Sequence, residues 1–238
     1  MSKFILKDDF LELFPDVEIG VVTAKNITND PAELGNKNDE IYALLQQSFE
    51  EAGSFMQNEV FIENKVVAVW REAFRKFKTK KGARCSIEAM LKRVQKGNPP
   101  GSINPLVDIY NAASLSYAFP CGGEDLDTFR GDLLLTLAEG GEDFTPLGED
   151  EPDPALPGEV IYRDDEGVVC RCWNWRDGQR TMITENTKNA FLIFESVDPE
   201  RSEDLKKAMQ TLADNIEKYL GGEVESFRLD KENPEHDL

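Results

Sequence analysis

The chain has 238 residues, 40% of them hydrophobic and 31% charged. This balance suits a single domain with a sizeable core and excludes an intrinsically disordered chain. Lys and Arg number 27 against 46 Asp and Glu, a net charge of −19; such a chain does not coat nucleic acid by bulk charge, although a local basic site remains compatible with it.

No apolar run approaches the roughly 18 residues of a membrane helix. The acids Asp8 and Asp9 come too early for a secretory leader. A cytoplasmic protein with no membrane contact is expected. The four cysteines, at 85, 121, 170 and 172, form no C-x-x-C pair, and the single histidine is His236. Buried free thiols in a reducing compartment are therefore expected, with no metal site and no cofactor. One histidine in the tail also disfavours a Ser-His-Asp or Cys-His hydrolase.

In chain order, the β-branched run in 18–25 reads as a strand, and the Asn, Asp, Pro and Gly of 26–38 read as a loop. Apolar residues at helical spacing predict helices over 39–52 and 64–77. A third helix starts with Ser86 as its cap and ends before Gly97; a fourth covers 104–115, with Pro105 in its first turn. Strands follow at 132–138, 159–162, 168–175, 180–183 and 190–196, with an acidic, proline-bearing loop at 148–158. A long amphipathic helix spans 199–220, a last strand 223–229, and 230–238 reads as a frayed polar tail. Helices, then strands, then a helix, with no linker between them, predict an α+β fold in one domain. N-terminal helices would pack on a mixed or antiparallel sheet with the long C-terminal helix.

No Gly-rich phosphate loop is present, which disfavours nucleotide-dependent chemistry. The one dense basic segment holds Arg75, Lys76, Lys78, Lys80, Lys81 and Arg84. It is either a solvated helix end or a patch for RNA phosphates. Alternation over 168–175 sets Cys170, Cys172 and Asn174 on one face and Arg171, Trp173 and Trp175 on the other. Trp173 and Trp175 are core residues, or with Arg176 they stack on a base or ligand ring. Thr184, Thr187 and Asn189 make a polar turn before the apolar strand that Glu195 interrupts. A carboxylate there leans to solvent or reads a polar ligand from inside a pocket.

The order of these segments resembles the B3/B4 module of the phenylalanyl-tRNA synthetase β subunit. The stretch Asn104-Pro105-Leu106-Val107-Asp108-Ile109-Tyr110-Asn111 resembles its N-N-V-V-D-I-T-N helix. Tyr117-Ala118-Phe119-Pro120 falls at its H-A-F-D, and residues 138–147 are similar to its A-x-x-G-E-x-x-x-T-L turn. Residues 184–196 resemble its V-T-x-x-T-x-N-x-x-L-E-S-A ending. Freestanding B3/4-domain proteins are a closer match, through the Trp70 to Phe74 step, the Ser86-Ile87-Glu88 helix start and the strand and turn from Trp173 to Asp177. The resemblance covers residues 15–228.

The resemblance implies a B3/B4-like fold that hydrolyses mischarged aminoacyl-tRNA in trans, without aminoacylation. Its partners would be the aminoacylated 3′ end of tRNA and a synthetase or other RNA-binding protein. It places Asn104, Asn111, Tyr117, Thr184, Thr187, Asn189 and Glu195 at the substrate pocket, with Trp173, Asn174 and Arg176 at the rim. The basic segment would meet acceptor-stem phosphates. Glu195 falls where the module's glutamate reads a side-chain hydroxyl. Tyr117 replaces the module's histidine, which leaves a non-catalytic module for RNA or a free amino acid as the alternative. A partner-binding protein on a borrowed fold is a third reading.

Overall fold

The computed structural model describes residues 2–238. The elements in order are β1 (Lys3–Leu6), α1 (Asp8–Leu13), β2 (Glu18–Lys25), α2 (Pro31–Leu34), α3 (Lys37–Ala52), α4 (Lys65–Ala73), α5 (Ser86–Gln95), α6 (Pro105–Tyr117) and β3 (Cys121–Asp125). They continue with β4 (Leu133–Leu137), β5 (Val160–Arg163), β6 (Val168–Arg171), β7 (Arg176–Asp177), β8 (Ala190–Ser196), α7 (Ser202–Leu220), β9 (Glu223–Leu229) and β10 (Glu235–Asp237). The α+β class and the long C-terminal helix are as expected. The strands, however, form two sheets rather than one: a mixed sheet ordered β10-β1-β4-β5-β6-β7 and an antiparallel sheet ordered β3-β8-β2-β9.

The period-2 geometry of β2 and β8 explains the layering. Ile19 and Val21 of β2, with Phe191 and Ile193 of β8, share a core with Phe4, Leu135 and Tyr162 of the mixed sheet. The intervening Val22, Ala24, Leu192 and Phe194 belong to a second core with Leu106 and Ile109 of α6 and Leu205, Leu212 and Ile216 of α7. The antiparallel sheet is thus the middle layer, apolar on both faces, and its two central strands have near-continuous hydrophobic sequences. Gly20 lets α7 approach closely, since a Cβ there would lie 2.5 Å from Met209 Sδ.

Several local expectations are corrected. The 230–238 segment is not frayed, because β10 adds to the edge strand β1 and His236 stacks on Phe227 with ring centroids 3.6 Å apart. Within 26–38, Asp30 caps the short helix α2 by accepting from Ala32 N at 2.8 Å. The second helix stops at Ala73 rather than continuing to 77. Cys85, not Ser86, is the N-cap of α5. Residues 180–183 form no strand and contribute one isolated bridge, Met182 to Glu124. The strand expected over 168–175 ends at Arg171, because Cys172 and Trp173 adopt left-handed φ values of 46° and 64°. The alternation read through that stretch therefore fails after Arg171.

The break at Cys172 has a physical cause on either side. Arg171, fully buried, donates from Nε and Nη2 to both oxygens of the equally buried Glu159, at 2.8 and 2.7 Å. Its Nη1 reaches the Asp153 carbonyl at 2.6 Å. Trp173 turns the other way, into rings of Phe10, Phe14, Trp70 and Phe77. One residue pulled toward the acidic loop and another pulled into the core leave the turn no room for extended backbone. No helix among the described residues is long and apolar enough to cross a membrane.

Candidate functional site

A small cavity of about 50 Å³ lies between the sheets. Strand register decides which side chains enter it. On the middle layer, Phe191, Ile193 and Glu195 alternate onto the face toward the mixed sheet, and Gly122 and Glu124 of β3 pair with Ile193 and Phe191 on that same face. From the mixed sheet, Tyr162 pairs with Cys170 and Cys170 with Asp177, so these three stand side by side on the opposite wall. The Trp173–Asn174 turn and Ser86 at the start of α5 close one end.

Glu195 is 1% exposed, and both its carboxyl oxygens are engaged. The Tyr162 hydroxyl donates to Oε1 at 2.6 Å, and Asn174 Nδ2 donates to Oε2 at 2.8 Å. Asn174 is itself oriented by the Ser86 backbone N–H, which donates to its Oδ1 at 3.3 Å. Burial pushes the Glu195 carboxyl up to about 8; the donors Tyr162 and Asn174 pull it back, while Asp177 raises it further. Glu195 is therefore largely protonated at neutral pH. Burial also raises Glu124, Asp177 and the thiols of Cys121 and Cys170. Three polar atoms at the cavity, Ser86 Oγ, Glu124 Oε2 and Trp173 Nε1, are buried without a hydrogen-bond partner among the described residues.

The protonated state of Glu195 has a stability consequence. In the unfolded chain it ionises near 4.5, in the folded chain near about 8. Between those values the unfolded state releases a proton that the folded state keeps, so this contribution weakens as pH rises. At pH 7 the loss is about 3 kcal/mol relative to pH 4.5, at ~1.4 kcal/mol per pH unit. Unfolding free energies from urea titrations of the wild type and Glu195→Gln should diverge by roughly that amount in favour of glutamine over this range. A gap that does not change with pH would mean that Glu195 is ionised in the fold.

Of the residues singled out in the sequence, the structure brings Trp173, Asn174 and Glu195 together at the cavity. Trp173 is fully buried there and closes the end of the cavity rather than standing at an open rim. Asn104, Thr184, Thr187 and Asn189 form a different group, outside the lining. Asn29, fully buried, donates to Asn104 Oδ1 at 3.2 Å and to the Thr184 carbonyl at 2.8 Å. Thr187 donates to Asp125 at 2.7 Å, and Asn189 donates to both Asp127 oxygens. Asn104 also caps α6, accepting from Val107 N. These side chains tie the 184–189 turn to β3 and α6. Asn111 is buried on α6, and Tyr117 shares a hydrogen bond with Thr211 of α7 at 2.8 Å, both in the helical layer. Arg176 pairs with Glu149 outside the cavity.

The basic segment borders a polar cleft lined by Trp70, Arg71, Arg75, Thr79, Arg84 and Glu88, among others. Cys85 lines the cleft and Ser86 the cavity, so the two spaces are neighbours. Not all its cations are free: Arg75 pairs with Glu72 and Lys80 with Asp153, and Lys76 lies over the Phe14 ring. Lys78, Lys81 and Arg84 form no ion pair among the described residues. Sequence reading missed Tyr162, Asp177, Glu124 and Gly122 as cavity residues. Only the Gly122-Gly123 pair carried a local signal, a strand position where backbone is left bare.

The B3/4 domain family model matches residues 69–221, which is more than half of the chain and includes the cavity strands. The chain belongs to the B3/4 domain family. This B3/4 protein is 37% identical over 93 residues to the phenylalanine–tRNA ligase β subunit of Latilactobacillus sakei, and 34% identical over 92 residues to that of Psychrobacter arcticus. Each match covers 38% of this chain and only 11% of the ligase subunit. Among solved structures, an N-terminal fragment of the phenylalanyl-tRNA synthetase β subunit from Pyrococcus horikoshii aligns over 96% of this chain and 54% of its own length, at 11% identity and a TM-score of 0.47.

Proposed function

We propose that this B3/4 protein binds the aminoacylated 3′ end of tRNA, with the aminoacyl group in the inter-sheet cavity, and hydrolyses a mischarged ester in trans. The observation that carries this reading is the buried Tyr162–Glu195–Asn174 cluster inside a cavity that adjoins a cleft bearing cations. The relationship to phenylalanine–tRNA ligase β subunits supports it. Glu195, held by two donors, reads a polar group on the side chain. Lys78, Lys81 and Arg84 meet phosphates.

Hydrolysis requires a water to attack the ester carbonyl carbon, after which the carbon–oxygen bond to the ribose breaks and the ribose hydroxyl leaves with a proton. The ester is already activated, so positioning and oxyanion stabilisation carry much of the work. The Ser86 hydroxyl, without a partner among the described residues, is an available donor.

The test is a panel of correctly and incorrectly charged tRNAs, with ester loss followed against the spontaneous rate. Selective cleavage of one aminoacyl class is expected, and Glu195→Ala should reduce discrimination between esters by at least about tenfold. A second reading, a non-catalytic module for RNA or an amino acid, is favoured by a specific feature. The cavity lining holds no histidine, and burial keeps its thiols protonated. No cleavage across the panel would establish that reading instead.

A further inference from the structure

We propose that the cavity holds a primary ammonium group of its ligand between Glu124 and Asp177, the α-ammonium of the aminoacyl moiety. This rests on the reading of the cavity as the aminoacyl site. Glu124, Asp177 and Glu195 all line the cavity, and no Lys, Arg or His does. The three carboxyls are not equivalent. Glu195 has a donor on each oxygen. Glu124, 5% exposed, has a buried Oε2 with no donor.

The nearest cations are committed elsewhere. Arg180 donates twice to Asp164, at 3.0 and 2.7 Å, and Arg176 pairs with Glu149. Glu124 and Asp177 stand on opposite walls, one from β3 and one from β7. Glu124 is pushed up by burial first and then by Asp177, while Thr181 and Arg180 pull it back.

An unpaired buried carboxyl is costly, and an ammonium placed against it supplies both the missing donor and the opposite charge. Asp177 is half-buried where it lines the cavity. Beyond that acidic end the walls are apolar, from Leu133, Val169, Phe191 and Ile193. The Ser86 hydroxyl, buried at the cavity without a partner among the described residues, is a donor that the ligand's carbonyl fits. The arrangement suits an ammonium beside an apolar group and a carbonyl, which is the pattern of an aminoacyl ester.

The experiment uses the full chain and small probes, read by calorimetry or ligand-observed NMR. L-Phenylalaninamide carries the α-ammonium. 3-Phenylpropanamide has the same skeleton without it, and Nα-acetyl-L-lysinamide carries only a side-chain ammonium. L-Phenylalaninamide should bind at least tenfold more tightly than 3-phenylpropanamide. Glu124→Gln and Asp177→Asn should each remove most of that preference while leaving the 3-phenylpropanamide affinity unchanged. Equal binding of the two, no binding of L-phenylalaninamide, or a preference untouched by both variants overturns the proposal. Binding of Nα-acetyl-L-lysinamide alone would overturn the α-ammonium assignment and place a side-chain cation there.

Should either variant fail to fold, Gly122→Leu provides a second route. A Cβ at Gly122 meets only Ile193 Cγ2, at 3.9 Å, so the backbone there has room for a side chain, and a leucine at this lining position is expected to occupy the cavity. It should abolish binding of L-phenylalaninamide; retained binding would place the probe outside the cavity and overturn the proposal. The probes contain neither ester nor RNA. Failure of the ammonium preference is therefore separable from failure of deacylation, which the charged-tRNA panel reads independently.

Discussion

Replacing Arg171 with methionine is expected to cost about 3–5 kcal/mol, because it leaves Glu159 as a buried carboxylate with no cation. Both side chains are fully buried, and two charge-assisted hydrogen bonds join them in a fork. The same guanidinium holds Asp153 through its carbonyl and, at 2.9 Å, its carboxylate. Burial works to raise the Asp153 carboxyl, but Lys80 and Arg171 outweigh it and hold it below its usual range. The pair thus fastens the acidic loop at 148–158 to the end of β6, immediately before the turn that delivers Trp173 and Asn174 to the cavity. Urea denaturation at neutral pH reads the loss. Combining Arg171→Met with Glu159→Leu should recover most of it, since an apolar pair of similar volume is often neutral or better than a buried ion pair. If the single variant costs less than 1 kcal/mol, Glu159 has found water or another donor, and the loop is not anchored there.

Trp173→Ala is expected to cost a comparable 3–5 kcal/mol by lost burial and an unfilled cavity. The indole packs edge-on against Phe10 at 5.1 Å and Trp70 at 5.0 Å, and lies 4.5 Å from the Phe14 ring. It therefore joins α1, α4 and the mixed sheet at one point. Trp173 also lines the cavity next to Asn174 in the chain, so the substitution changes the cavity wall as well. Denaturant unfolding should show the stability loss. L-Phenylalaninamide binding should fall beyond what the fraction unfolded explains. Full retention of both would mean that the aromatic cluster neither holds the fold nor shapes the cavity.

How far the sequence reaches is clearest at β8. Its residues 190–196 alternate in a strand that is apolar throughout except for Glu195 and Ser196, and the carboxylate stood out because apolar strands rarely carry one. The structure places Glu195 on the same face as Phe191 and Ile193, as a period of two requires. Likewise 18–25, 190–196 and 223–229 match their expected spans to the residue; the β-branched run of the first and the apolar run of the second are local signals. The long amphipathic stripe of α7, from Leu205 to Leu220, was equally local.

What failed depended on distant partners. The tail at 230–238 is too polar to look like a strand, and becomes one only because β1 offers it an edge. The turn at Cys172 and Trp173 breaks a good strand pattern because Glu159 and an aromatic cluster draw adjacent residues apart. Asn104, Thr184, Thr187 and Asn189 were expected around one pocket and do assemble, but around Asn29 and β3, where they fasten a turn.

By itself the sequence determined the α+β class, the order and extent of most elements, and the oddity of a glutamate in an apolar strand, because each is encoded in the periodicity of neighbouring residues. Only the tertiary structure decided that there are two sheets, that Tyr162 and Asn174 hold Glu195, and that Glu124 and Asp177 face the same space. Those relations depend on which strands pair and in what register, and pairing is set by the burial of whole faces, to which no short stretch of sequence holds the key.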